Sequence, residues 1–160
     1  MNITYCKGWF RAQKRPIEIW DKKKAKKAHN AGKLYTVLVG ETANPYCFID
    51  LRLEVGFVGV SFLDSQTREY LTYEFTKKKD GYLFLSMSNF REYDGDTDSV
   101  IKGTTYYFNE NGSVKIEKEN FLNNVIESGE NIIDVKENWE NIPDFGDYSR
   151  IYRIERKFGN

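Results

Sequence analysis

The sequence predicts a single α+β domain spanning residues 1–160. In it an N-terminal helix lies against a twisted antiparallel meander of about six to eight strands. Three observations point there. Pro16 and Gly32 bracket a helical window, because proline suits a first helical turn and glycine the position just past the last one. From Leu34 onward the apolar period changes to two, the signature of half-buried strands. Asp80-Gly81 and Asn109-Glu110-Asn111-Gly112 then mark tight hairpin turns, where glycine enters left-handed conformations at little cost.

Taken in order, residues 3–12 alternate loosely and read as a first strand ending in Trp9-Phe10. The helix is expected over about fifteen residues from Pro16, with a thin apolar stripe of Ile17, Trp20, Ala28 and Ala31 and a lysine-rich flank. Residues 34–39 form the next strand. In residues 47–55 the apolar side chains take odd positions, while Asp50, Arg52 and Glu54 take even ones, as one buried and one wet face require. Gly56 and Gly59 interrupt residues 57–63 and suggest a bend that allows closure into a half-barrel. Strands follow at 69–76, 82–90, 104–108 and 113–117. Residues 121–126 have helical spacing and stop at Gly129; Ile132, Ile133 and Val135 suit a short edge segment. Residues 149–156 are the last strand candidate.

Apolar residues make up 40% of the chain and aromatic residues 16%, which excludes disorder for most of its length. No stretch approaches the apolar length that spans a bilayer, and the start lacks a secretory apolar core, so no membrane partner is expected. Cys6 and Cys47 have neither metal-ligand nor redox spacing. Cys47 sits in an apolar strand, which suits a buried reduced thiol and a cytoplasmic protein.

No residue set spells out a reaction, so no enzyme activity, cofactor or metal is expected. His29 stands alone in the lysine-rich segment, as a surface histidine near a helix C-terminus. Asp94, Asp96 and Asp98 begin with calcium-loop spacing. However, Ser99 replaces the turn glycine and Thr105 the bidentate glutamate. Lys22, Lys23, Lys24, Lys26 and Lys27 invite a nucleic-acid reading. A net charge of zero and the absence of a recognition motif stand against it.

Charge is instead sorted along the chain. Residues 1–33 hold ten Lys and Arg against two acids, whereas residues 90–148 hold fourteen acids against five bases. Such sorting suggests that one face meets a charged partner. The expected docking residues are Glu92, Asp94, Asp96, Asp98, Glu137, Glu140, Asp144 and Asp147, interleaved with Tyr93, Trp139 and Phe145. Opposite fields speed encounter and aromatics anchor it at short range.

In this character the chain resembles the small cytosolic immunity proteins that bacteria encode beside polymorphic or contact-dependent toxins. The string Asn138-Trp139-Glu140-Asn141-Ile142-Pro143-Asp144-Phe145-Gly146-Asp147-Tyr148 also looks like segments of such proteins. The resemblance assigns no particular family. It implies a cognate basic protein toxin, commonly a nuclease, as partner. A second reading is a small-ligand-binding, barrel-like protein. There the aromatic strands line a pocket, and Asp50, Arg52, Glu54, Tyr70, Thr72 and Glu74 supply its polar groups.

Overall fold

The computed structural model describes residues 1–156. Eleven strands form one antiparallel sheet: β1 (Ile3–Phe10), β2 (Arg15–Trp20), β3 (Tyr35–Gly40), β4 (Pro45–Arg52), β5 (Phe57–Leu63), β6 (Glu69–Lys77), β7 (Leu83–Tyr93), β8 (Val100–Phe108), β9 (Ser113–Asn120), β10 (Val125–Ile132) and β11 (Trp139–Glu140). Their order across the sheet is β10-β9-β8-β7-β6-β5-β4-β3-β1-β2, and β11 pairs with the start of β7. The one α-helix among the described residues, α1 (Lys22–Asn30), joins β2 to β3.

This overturns the α+β class with an N-terminal helix. The chain opens with a strand, and the fold is dominated by sheet. Residues 16–20, expected as the first helical turns, extend within β2, where Ile17 and Ile19 are both exposed. The helix begins only after Asp21, whose side chain accepts the Lys24 N–H at 2.7 Å, satisfying a donor that the first turn leaves free. The expected stop holds: Gly32 follows at φ +69°, where an added Cβ would come within 2.8 Å of the Glu54 nitrogen. Closure into a barrel is overturned as well, because β2 and β10 remain open edges. Gly56 ends a short 3-10 turn, and Gly59 lies beneath the Phe57 ring.

The alternation in β4 was legible, with Cys47, Ile49 and Leu51 all buried, but Phe48 between them is buried too. Both faces of the central strands are therefore covered. On one, Val37, Val39, Ile49, Val60, Phe62, Tyr73 and Phe75 pack beneath α1 and the irregular segment 133–156. On the other, Leu38, Phe48 and Leu63 meet Cys6 and Trp9. β1 pairs with β3 only as far as Cys6. Beyond that the β1–β2 hairpin leaves the sheet and folds across it, so that Trp9 stacks on Phe48 at 5.5 Å. Both cysteines are free and buried.

Both predicted hairpin turns are present, with Gly81 at φ +85° and Gly112 at φ +92°. Two expectations near the end fail. Residues 121–126 are not helical: Asn124 adopts a left-handed conformation (φ 55°) and turns β9 into the long strand β10. Residues 149–156 form turns and irregular backbone rather than a strand.

Candidate interaction surface

The aspartate loop follows β7 and is held by a lysine, an arginine and a glutamine of the same chain. Lys14 Nζ reaches Asp98 at 2.8 Å, and Gln66 Nε2 donates to Asp96 at 2.7 Å. Arg68 donates to the carbonyls of Gly95 and Thr97, and its guanidinium lies 4.5 Å from the centre of the Tyr93 ring. Tyr93 in turn donates its hydroxyl to the Glu69 carbonyl at 2.7 Å. Glu92 is exposed and lies opposite Lys102 in the ladder. Among the described residues, no group of three or more His, Cys, Asp or Glu side chains is placed to hold a metal.

Glu137, Trp139 and Glu140 lie elsewhere. Glu140 is 3% exposed and accepts from Arg150 Nε at 2.9 Å, Arg156 Nη1 at 3.0 Å and Arg153 Nη2 at 3.2 Å. Glu137 pairs with Arg153 at 3.0 Å. Arg156 also donates to the carbonyls of Glu137 and Arg150, and its guanidinium sits 5.0 Å from the Phe75 ring centre. Burial pulls the Arg156 guanidinium below its ordinary value despite the carboxylate beside it. Trp139 packs on Phe84 at 4.8 Å. Glu140, expected to dock a partner, is instead an internal counter-ion closed to any visitor.

A third location holds Asp144, Phe145 and Asp147. Phe145 stacks on Tyr5 at 5.1 Å and meets His29 edge-on at 5.6 Å. Asp147 caps the following turn through Ser149 at 2.9 Å. Beneath them runs a chain of hydroxyls: His29 Nδ1 lies 2.8 Å from the Tyr35 hydroxyl, which lies 3.0 Å from that of Tyr148. Burial pushes the Tyr5 and Tyr35 phenols up and the His29 imidazole down, so all remain neutral. His29 is therefore a half-buried clasp between α1, β3 and segment 133–156, not the surface histidine expected.

The expected docking residues do not make one surface. Glu140 pairs with Leu83 at the start of β7, and Asp94 follows Tyr93 at its end. At about 3.3 Å per residue the two groups stand about 30 Å apart. The polar residues of the ligand-pocket reading also do not converge. Asp50 is half-buried and accepts from Thr36 Oγ1 at 2.5 Å, whereas Glu54 pairs with Lys33 at 2.8 Å.

What the molecule does expose is an arm made of β8, β9 and β10. Every residue of β10 is exposed, including Val125, Ile126 at 63% and Ile132 at 79%; Phe121 and Leu122 in the preceding turn are exposed as well. Phe121 lies over Gly103 and, with Ile126, borders a groove of about 410 Å³ that also takes in Arg91, Val100, Glu117 and Glu119. Another, of about 480 Å³, runs beside Lys115, Glu130 and Ile132. The arm escaped sequence reasoning because Gly129 reads as a helix stop. The usable signal was Asn123-Asn124, since asparagine tolerates the left-handed turn that a hairpin needs.

Comparison with protein-family models, curated proteins and solved structures finds no match.

Proposed function

We propose that this chain is a non-catalytic protein-binding module that neutralises a cognate toxin in the cytosol, docking through the β8–β10 arm. One observation carries the reading: an eight-residue strand with apolar side chains that contributes no buried residue to its own fold. Small two- and three-stranded ribbons are marginal unless a face is covered, so a ribbon this bare gains most from a partner. Three further features support the reading. The sheet encloses no barrel interior, His29 and the tyrosines are committed to packing, and Glu140 is committed to the arginines. The cytosolic setting is supported by two buried free thiols, and no helix among the described residues is long and apolar enough to cross a membrane.

The test is co-expression with the product of the adjacent gene. A stable one-to-one complex and restored growth of cells making that product are expected. Growth arrest that persists, with no complex by size-exclusion chromatography, would refute the reading.

A further inference from the structure

The two open edges of the sheet are built differently. β2 is blunted: Pro16 has no N–H to offer, and Glu18 sits at φ +46° where the ladder with β1 skips a pair. Lys24 of α1 also reaches across to Glu18 at 3.0 Å. β10 carries no proline, no lysine or arginine and no left-handed residue within its eight positions, and it is paired on one side only. An edge strand without such protection is a template for another strand, because half of its backbone groups lack a ladder partner.

Charge decides which strand fits. The only ionisable side chains on β10 are Glu127 and Glu130. Two copies joined antiparallel through this one edge would be related by a two-fold normal to the sheet, centred on Ser128 or Gly129, which sets Glu127 diagonal to its own copy or Glu130 diagonal to its own copy. Either register gathers four carboxylates along a seam to which β10 brings no cation, which is unfavourable. A strand with lysine or arginine across from those glutamates and apolar residues toward its ends satisfies both the charge and the exposed Val125, Ile126 and Ile132. We infer that β10 is a strand-addition edge that receives an extended basic segment of a partner protein, continuing the sheet past its open side. This rests on the partner-binding reading and names its mode and chemistry.

The probe is a short peptide, capped at both ends and rich in valine and threonine, with two lysines three positions apart. A matched peptide carries glutamates in their place. Binding to the full chain is followed by fluorescence anisotropy, and the site by amide hydrogen exchange. The expected result is binding of the lysine peptide with new protection at residues 125–132, weakened by salt, and at least about tenfold weaker binding of the glutamate peptide. The double variant Glu127→Lys with Glu130→Lys should reverse that preference. Both positions are exposed but lie opposite Lys118 and Lys115 of β9, so its thermal midpoint should fall slightly, and Glu127→Gln with Glu130→Gln, free of that repulsion, should keep the parent midpoint and bind the two peptides alike. No binding of the lysine peptide, equal binding of the two peptides, or protection elsewhere would overturn the inference. So would concentration-dependent dimerisation that protects β10, which would assign the edge to a second copy. A complex with the adjacent gene's product that leaves β10 unprotected would sink this inference and the docking face it deepens while sparing toxin binding, whereas absence of that complex would sink the functional reading itself.

Discussion

Glu140→Gln tests the buried charge cluster that fixes the C-terminal segment. The substitution keeps the shape and removes the charge. Its three partners differ in what they lose. The Arg150 side chain is 70% exposed, so water replaces the carboxylate and the loss is near zero. Arg153, 34% exposed, loses about 0.5 kcal/mol, its other contact with Glu137 surviving. Arg156 is fully buried at its side chain, and without Glu140 its charge has only carbonyls and the Phe75 and Tyr73 rings for company. Breaking such a pair costs about 3–5 kcal/mol, most of it the stranded charge. The sum, about 3.5–5.5 kcal/mol, corresponds to a fall in thermal midpoint of about 7–22 °C for a chain of this size. Urea unfolding of the parent, Glu140→Gln, Arg156→Met and the double variant would measure it. The double variant should recover most of the loss, because it removes both buried charges and so leaves no guanidinium stranded. A cost for Glu140→Gln below about 1 kcal/mol, or strictly additive effects, would refute the claim that Arg156 is the partner that loses most.

Burial holds His29 below its ordinary value, with Asp144 pulling the other way, so the folded form is the neutral ring. The unfolded chain takes up the proton first as pH falls below about 6.5, and stability should drop over the window from there to the folded value. His29→Gln should flatten that stretch of a stability–pH curve, and Asp144→Asn should deepen it. Asp50 is shifted upward, chiefly by burial, so its contribution is greatest below the unfolded value and is lost as pH rises through the folded one. Asp50→Asn keeps an acceptor for Thr36 and should raise the unfolding free energy at neutral pH by about 0.5–2 kcal/mol in urea titrations. Gly112→Ala combines φ +92° with a Cβ 2.6 Å from the Ile133 carbonyl oxygen, and should cost about 1–3 kcal/mol by the same measure. In native-state hydrogen exchange the amides of β10 should exchange well before those of β3 to β5; equal protection would show that the arm belongs to the cooperative core.

Much of the sheet was legible because apolar residues recur at every second position in parts of β4, β6 and β7, and Gly81 and Gly112 mark the turns from β6 to β7 and from β8 to β9. The N-terminal helix was not. Proline suits an edge strand as well as a first helical turn, and the pairing of β2 with β1, its neighbour in the hairpin, selects the strand. The expected acidic surface failed for a related reason. Charge counted along a chain ignores which residues the topology brings together. Lys14 and Asp98 are 84 positions apart, yet the β1–β2 hairpin folding across the sheet places them at 2.8 Å. Arg150, Arg153 and Arg156 converge on Glu137 and Glu140 because segment 133–156 runs back over the opposite sheet face, above Ile49 and Phe62.

Neutralisation within the fold changes where an external partner can act. Paired and buried charges such as Glu140 offer a visitor nothing, since engaging them would strand an arginine. The acids that remain open to pairing across a new interface are those on a strand with an unpaired side, where a partner's cation meets the carboxylate while its backbone completes a ladder. Glu127 and Glu130 on β10 meet that condition, and the opposite edge, closed by Pro16 and Glu18, does not. A sheet open at both ends would invite uncontrolled stacking. Blunting one edge and leaving the other acidic and apolar restricts growth to a single added strand of complementary charge, which is how a binding module, rather than a scaffold that polymerises, would be built.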